Sequence, residues 1–412
     1  MKKFNLILIC FFAVLFVLFS CEQEEVDPVI ITETVTVTDT ITVTEQSIDA
    51  LKEGVQANYA DLVYTNYLDS YNAAFDMQQV IQAFTADPTD ATLEAAKVAW
   101  LEAREPYGQT EAFRFASGPI DADDGPEGLL NAWPLDESYI DYVEGNPTTG
   151  IINNTAEYPT LDKALLESLN EEGGEENISI GYHAIEFLLW GQDLTDPSAL
   201  QTGNRPVTDF TTADNADRRL QYLNITAELI LDHLQLMLDE WDPNGSGNYR
   251  SQFMALSTDD AITNILTGIG TLCKSELAGE RIFTAYDNIN QEDEHSCFSD
   301  NTHRDTRLNA IGIRNVYTGC YIRTDGISKV AGPSLVDLMN VLDSDFSNEA
   351  NELMNEALAA VEATAIPFDF AISDNDARPA VLEAVNKLRT FGDKLAEVGA
   401  KLGLTINTDL PG

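Results

Sequence analysis

A histidine and a glutamate three residues apart are the strongest candidates for chemistry in this sequence. His183 and Glu186 lie in the segment GYHAIEFLLWG, residues 181 to 191. In a helix, residues i and i+3 share a face, so these two side chains would be neighbours. Imidazole nitrogen and carboxylate oxygen together suit zinc, iron or manganese. Because the flank from Phe187 to Trp190 is apolar, the pair is either a buried metal site or a hydrogen bond within a core.

The other histidines fall into two settings. His233 lies on the apolar stripe of a predicted helix, which indicates a core or rim position. His295 and His303 lie with Asp300 in a dense polar segment around Cys297, and these three residues are additional candidates for the site. The sequence has no HExxH, no GxSxG elbow and no phosphate-binding loop, so it gives no support for the common zinc-peptidase helix, serine hydrolases or nucleotide enzymes.

The overall charge argues against some classes of partner. The chain has 412 residues, of which 69 are acidic and 23 basic, and its formal net charge is −46. Nucleic acids and anionic membrane surfaces would be repelled, so neither is an expected partner. Cations suit such a chain, although acidity also serves solubility. At 44% hydrophobic residues, the composition supports ordinary packed cores.

Apolar residues recur at spacings of three to five along most of the chain, which predicts an all-α fold. The predicted helical runs are residues 48–84, 89–114, 211–241, 259–286, 347–364 and 377–404. Two long segments, Gly118–Tyr142 and Tyr286–Tyr321, are predicted to be irregular, and such segments in compact domains are often functional. A shift in composition at residues 191–206 predicts two helical-bundle domains, residues 47–205 and 206–412.

The first 46 residues are predicted to direct export and to form a tether. Lys2 and Lys3 precede an apolar run, and residues 1–20 have the organisation of a secretory signal peptide. The position of Cys21 resembles the lipobox of bacterial lipoproteins, in which this cysteine is acylated. The acidic residues 22–25 resemble a surface-export signal of Bacteroidetes lipoproteins, and the Thr-rich residues 21–46 are predicted to be an extended tether. We expect a lipid-anchored protein of the bacterial outer membrane, facing the periplasm or the cell surface.

Several segments resemble the imelysin family. Residues 181–186, GYHAIE, match its GxHxxE motif, and further resemblance lies in residues 103–114, 118–121, 133–137 and 294–305, the last of these typical of its iron-regulated subgroup. The resemblance implies an all-helical, two-domain fold with the HxxE site near the domain junction. It further implies His183 and Glu186 as ligands of one metal ion, iron or zinc, with Glu111, Arg114 and Asp121 as neighbours. It assigns no catalytic residue.

Three functions are consistent with the sequence. The first is a metal-binding lipoprotein that assists iron acquisition, together with iron-uptake proteins of the envelope, because carboxylate-rich surroundings suit hard cations. The second is a zinc peptidase, in which Glu111 or another carboxylate would act as general base on a metal-bound water. The third is a partner- or polymer-binding surface lipoprotein in which HxxE is structural.

The lipid anchor gives the first testable prediction. Replacement of Cys21 by Ser removes the thiol that would be acylated, so we expect the protein to move from the membrane fraction to the soluble fraction. Fractionation of cells followed by immunoblotting measures this, and Cys10→Ser, within the predicted signal peptide, is the matched control. A Cys21→Ser protein that still sediments with membranes would contradict lipidation.

Overall fold

The structure, a computed structural model, describes the backbone of residues 37 to 410 and the side chains from residue 48 onward. The predicted signal peptide, the lipidation site Cys21 and the first part of the predicted tether lie outside the described residues. Regular structure in the described part is almost all helical, so the all-α prediction is confirmed. The α-helices are α1 Val37–Ala86, α2 Asp90–Thr110, α3 Glu127–Leu130, α4 Glu137–Ile140, α5 Lys163–Leu169, α6 Tyr182–Trp190, α7 Ala216–Trp241, α8 Tyr249–Phe253, α9 Thr258–Thr271, α10 Thr284–Asn288, α11 Thr302–Thr318, α12 Leu335–Leu342, α13 Ser344–Glu362, α14 Phe368–Ser373 and α15 Arg378–Lys401.

The described residues also form a π-helix, a β-hairpin and several short 3₁₀ turns. A π-helix, Leu272–Phe283, continues α9 into α10. Strands β1 Cys320–Ile322 and β2 Lys329–Ala331 form one antiparallel hairpin, a small exception to the helical pattern. Short 3₁₀ turns are Glu111–Phe113, Pro119–Asp121, Pro197–Ala199, Val207–Phe210 and Gln291–Asp293.

Two predictions about irregular segments were wrong in part. Residues 37–46, predicted as extended tether, are helical because α1 begins at Val37. Residues 302–318, predicted as part of a long irregular segment, form α11. The many polar residues of α11 hid its helical pattern, because several of them are buried against α2 and not exposed to solvent.

The turn between α1 and α2 follows directly from the sequence. Pro88 has no backbone N–H and cannot continue a helix, so α1 ends just before it. Thr89 then caps α2, since its hydroxyl accepts a hydrogen bond from the Thr92 backbone N–H at 3.2 Å and the Thr92 hydroxyl accepts one from the Thr89 N–H at 3.0 Å. This reciprocal pair satisfies two N–H groups that an uncapped helix would leave exposed.

Helices α2 and α11 pack at close range through small and amide-bearing residues. Asn309 donates to the Gly108 carbonyl at 2.9 Å, and Asn315 donates to the Gln109 side chain at 2.9 Å. A Cβ atom at Gly312 would lie 2.4 Å from the Gln109 carbonyl oxygen, so only glycine allows this approach. The contact holds the residues after Glu294 against the first half of the chain.

The core is continuous through the described chain. Residues Val43–Gly412 form one compact unit, and its buried apolar residues make a single cluster that runs from Val55 to Val398. The buried apolar residues on the two sides of residue 205 belong to this one cluster. The division of the chain into two domains near residue 205 stays a prediction. No helix in the described part is long and apolar enough to cross a membrane. The sequence leaves the pairing of Cys273, Cys297 and Cys320 open; all three are buried, and Cys273 and Cys297 are free thiols.

The close approach at Gly312 gives a prediction on stability. Glycine to alanine in a helix interior ordinarily stabilises by about 1 kcal/mol. At Gly312 the added methyl group would meet backbone, so we expect Gly312→Ala to lower the free energy of unfolding by roughly 1–3 kcal/mol. Urea denaturation measures this difference. Gly279→Ala is the matched control, because a Cβ atom there meets nothing within 4 Å. Equal stability of Gly312→Ala and wild type would contradict the packing described.

Candidate functional site

Helix α6 carries the GxHxxE motif and is buried on all sides. All nine of its residues are buried, as expected of a helix that is apolar all round. Gly181 caps its N-terminus with φ +96°, and a Cβ atom there would lie 2.9 Å from the Leu130 carbonyl oxygen. Glycine at the first position of the motif is therefore required by backbone conformation and space, whatever the role of the two residues that follow.

His183 and Glu186 form a buried hydrogen-bonded pair. The distance between His183 Nδ1 and Glu186 Oε2 is 2.9 Å, and both side chains are fully buried. The other carboxylate oxygen, Oε1, accepts hydrogen bonds from the Ser299 backbone N–H at 3.0 Å and the Ser299 hydroxyl at 2.7 Å. Both oxygens of Glu186 are thus engaged, and in this arrangement Glu186 orients the imidazole.

The second nitrogen of His183 is the unusual atom of this pair. His183 Nε2 is buried and has no hydrogen-bond partner among the described residues. The ionised form of Glu186 accepts a hydrogen bond from Nδ1–H, which leaves a lone pair on Nε2, whereas the protonated form donates to Nδ1 and places the ring proton on Nε2. A metal ion at Nε2 therefore requires Glu186 in its ionised form. A histidine whose Nδ1–H is held by a carboxylate and whose Nε2 is open has the usual arrangement of a metal-binding histidine and its supporting carboxylate.

Burial shifts both members of the pair toward their neutral forms. Burial raises the pKa of Glu186 to about 8, although the hydrogen bonds from Ser299 act in the opposite direction. Burial, the charge of His295 and the charge of Arg104 hold the pKa of His183 well below its usual range. His183 is therefore neutral at physiological pH, which is the form that binds metal.

A second histidine lies against the first and is held in a similar way. The ring centroids of His183 and His295 are 4.7 Å apart, edge to face. His295 Nδ1 lies 3.3 Å from Asp305 Oδ2, and Arg104 holds the other oxygen of Asp305 through its Nη2 at 2.9 Å. Burial raises the pKa of Asp305, but Arg104 and the bond to His295 outweigh burial, so that pKa is well below its usual range.

An amide and an arginine connect His295 to Glu111. Asn131 Nδ2 lies 3.5 Å from His295 Nε2, a long contact, and donates to Glu111 Oε1 at 3.3 Å. Arg281, from the π-helix, donates to the other oxygen of Glu111 at 2.6 Å. Burial raises the pKa of Glu111, but Arg281 and Arg114 outweigh burial and lower it.

A cavity of about 460 Å³ opens on one side of this network. His295 and Trp133 belong to its wall, and His183 lies directly behind them, 5.1 Å from the Trp133 ring between ring centroids. Six carboxylates line the cavity against two arginines, Arg114 and Arg281, so the cavity favours cations. These carboxylates are Glu127, Glu171, Glu175, Glu276, Glu280 and Asp293.

The structure brings together some of the predicted site residues and separates others. Arg114 lies 3.9 Å from Glu111 and donates to Asp121 at 3.0 Å, so these three residues are in contact with one another, and their role at the site stays a prediction. Asp300 joins a separate group of carboxylates with Asp193 and Asp369. His303 Nδ1 donates to the Asp300 carbonyl at 2.9 Å.

Several members of the network were missed by sequence reasoning. Arg104 and Asp305 are buried charged residues inside two of the segments that resemble the imelysin family. Their place in those segments was the signal that could have identified them. Asn131 and Ser299 carry no local signal, because their partners are distant in the sequence. Asn131 contacts Arg104, 27 positions away, and Ser299 contacts Glu186, 113 positions away. Arg281 lies in a run predicted as ordinary α-helix, and the π-helix that directs it was not predicted.

The chain is similar to known proteins over most of its length. The imelysin sequence profile matches residues 63–395. The chain belongs to the imelysin family. Iron-regulated protein A of Synechococcus elongatus is 26% identical over 349 residues, which cover 83% of this chain and 83% of that protein. The family resemblance predicted from the sequence is confirmed.

Two crystal structures share the fold. An iron-regulated protein A precursor from Parabacteroides distasonis superposes with a TM-score of 0.66 at 20% identity, covering 85% of this chain and 95% of that one. An imelysin-like protein from Psychrobacter arcticum superposes with a TM-score of 0.59 at 12% identity, covering 87% of this chain and 98% of that one. Likeness at this identity establishes the imelysin-like fold.

The donor atoms around His183 fit a metal ion in part. His183 Nε2 is an open nitrogen donor, whereas the oxygens of Glu186 are held by hydrogen bonds. Among residues 48 to 410, the HxxE pair does not belong to a group of three His, Cys, Asp or Glu donors within 4.8 Å. His183 therefore offers one ligand as it stands, and the assignment of Glu186 as a second ligand stays a prediction.

The acidic cavity predicts a dependence of stability on pH. Burial, together with the charges of Glu111 and Asp121, raises the pKa of Glu127 from 4.5 to about 7, although Arg114, 2.8 Å away, acts in the opposite direction. Between these two values the folded chain binds more protons than the unfolded chain, so the contribution of Glu127 to the free energy of unfolding falls as pH rises.

We therefore expect Glu127→Gln to lose less stability than wild type between about pH 5 and about pH 7, by at most roughly 1.4 kcal/mol per pH unit. Urea titrations at both pH values measure this, with Glu53→Gln, an exposed glutamate, as control. Identical pH dependence of Glu127→Gln and wild type would contradict the raised pKa.

Proposed function

We propose that this imelysin-family protein binds a metal ion at His183 and assists iron acquisition at the cell envelope. The observation that carries the proposal is the unpartnered Nε2 of His183, held in place through Nδ1 by Glu186 and adjacent to a second histidine. An imidazole nitrogen in such a setting binds iron or zinc. A relative is named iron-regulated protein A, which supports iron as the physiological ion.

The presence of a second histidine distinguishes the proposed site at His183 from the other buried histidine, His233. His233 also contacts a carboxylate through one ring nitrogen, Nε2 to Glu167 at 2.8 Å, and its Nδ1 has no partner among the described residues. An open nitrogen alone is therefore insufficient as a sign of a metal site. His183 differs because His295 lies against it and because a carboxylate-lined cavity lies behind the His295 ring.

Each residue around the proposed site has a definable role. Ser299 fixes the carboxylate of Glu186, which in turn fixes the orientation of His183. Asp305 holds Nδ1 of His295 in the same manner. The carboxylates of the cavity raise the local concentration of cations and so favour their capture.

The zinc-peptidase hypothesis gains no support from its candidate base. Such a mechanism needs a carboxylate that accepts a proton from a metal-bound water. Glu111 is held by Arg281 and lies close to Arg114, and these charges lower its pKa. A carboxylate with a lowered pKa is a weak base, so Glu111 suits a structural role in the network.

We also propose that a lipid on Cys21 anchors the chain to the outer membrane. The support is the sequence alone, in which an apolar run precedes Ser20-Cys21. An anchored protein would hold its acidic cavity close to the envelope proteins that import iron. The side of the membrane that it faces is open to either assignment.

Metal titration with histidine variants tests the proposed site. Isothermal titration of Fe(II), without oxygen, and of Zn(II) into the full chain is expected to show about one ion bound through His183. We expect His183→Ala to weaken binding at least tenfold, because a ligand is lost, and Glu186→Gln to weaken it by about 10- to 100-fold, because the support of that ligand is lost.

His233→Ala is the matched control, since it removes a buried histidine with the same kind of carboxylate contact. We expect its metal binding to equal that of wild type. Unchanged binding in His183→Ala, or equal losses in His183→Ala and His233→Ala, would overturn the assignment.

A further inference from the structure

Three aspartates from distant parts of the chain converge outside the histidine network. Asp193 follows α6, Asp300 precedes α11, and Asp369 lies in α14. One carboxylate oxygen of each lies within 4.8 Å of the corresponding oxygens of the other two. Asp193 is 4% exposed and Asp369 is 3% exposed, so the group is largely removed from water. Burial of three like charges at this distance is unfavourable unless a cation or protons neutralise them.

A fourth carboxylate, that of Glu294, is also buried and interacts electrostatically with the three aspartates. Glu294 is 1% exposed, and neither of its carboxylate oxygens has a hydrogen-bond partner at normal geometry among the described residues. Burial holds its pKa well above the usual range, the charges of Asp369, Asp300 and Asp193 raise it further, and the Thr302 side chain acts in the opposite direction. Asp369 Oδ2 is likewise buried without a donor. Buried carboxylate oxygens without donors are rare in folded proteins, so these atoms call for a ligand.

The charged neighbours of this group are acidic. Burial, together with the charge of Asp193, raises the pKa of Asp300 to about 7 and that of Asp369 to about 6. No lysine or arginine is among the groups with the largest effect on Asp300, Asp369 or Glu294. Neutralisation therefore comes either from protons on the carboxylates or from a bound cation that replaces those protons.

We propose that Asp193, Asp300 and Asp369 form a site for a hard divalent cation of the calcium class. The donors are all oxygens, which select calcium, magnesium or manganese over softer metals. Magnesium usually keeps several waters and takes only one or two carboxylates, whereas calcium accepts six to eight oxygens in flexible geometry. Three converging carboxylates therefore favour calcium.

The position of the site indicates what the cation does. Asp300 adjoins Ser299, whose hydroxyl and N–H hold Glu186 of the histidine pair. Asp193 lies just beyond the C-terminus of α6, the helix that carries this pair. A cation bound between them fixes the segment before α11 against α6, and so stabilises the contact of Ser299 with Glu186. The cation site itself is independent of the metal proposed at His183.

Calcium titration of the full chain tests this site. After treatment with a chelator and its removal, isothermal titration with CaCl₂ is expected to show one saturable site, with a dissociation constant below about 1 mM. Asp369→Asn removes one charge and keeps an oxygen that accepts from the Phe370 N–H, as Asp369 Oδ1 does now. We expect it to weaken calcium binding at least tenfold. Calcium is expected to raise the melting temperature of wild type but not that of Asp369→Asn.

Two further variants make the result specific. Asp123→Asn, at an exposed aspartate, is the matched control and should bind calcium as wild type does. His183→Ala should also bind calcium normally, which separates this site from the proposed HxxE site. If Asp369→Asn fails to fold by circular dichroism, Asp193→Asn replaces it, since asparagine keeps the acceptor for the Thr195 N–H. No saturable binding to wild type, or equal binding by a folded Asp369→Asn or Asp193→Asn variant, would overturn the proposal.

Discussion

A buried ion pair between Arg104 and Asp305 connects the two halves of the candidate site. Arg104 on α2 and Asp305 on α11 are both nearly inaccessible to water, and Arg104 reaches Asp305 Oδ1 through Nη2 at 2.9 Å. Loss of one partner of such a pair costs about 3–5 kcal/mol, because the other charge is left buried and uncompensated. The same arginine donates to Asn131 at 2.5 Å, and Asp305 contacts His295. The orientation of the second histidine therefore depends on the packing of α2 against α11.

In the proposed function, this arrangement would let a helical protein with few histidines present a metal ligand. The carboxylates of Glu186 and Asp305 each hold the Nδ1 atom of one histidine, so the rings are fixed before any ion binds. Burial keeps His183 neutral, which favours coordination over protonation. The carboxylate-lined cavity attracts cations to the wall that contains His295. In the proposed function, capture of the ion would thus depend on the carboxylates of the cavity, and its coordination would depend on the buried histidines.

Local patterns in the sequence predicted the helices and the motif, whereas the partners of the motif needed the fold. The spacing of His183 and Glu186 is a property of one helix turn, so their contact was readable from the sequence. Asn131 and Arg281 act on Glu111 from loops and helices far along the chain, and no local pattern encodes such contacts. The polar face of α11 resembled a loop because its buried polar residues pair with α2. The convergence of three aspartates from separate segments was unpredictable for the same reason.

Anomalous diffraction from crystals of the full chain grown with iron or zinc tests the central claim most directly. If His183 binds the metal, an anomalous peak is expected at the absorption edge of the metal, about 2.0–2.2 Å from His183 Nε2. Glu186 is predicted to keep its hydrogen bond to His183 Nδ1 in that structure. A peak only at the carboxylates of the cavity, or none near His183 at saturating metal, would contradict the assignment of His183 as the ligand.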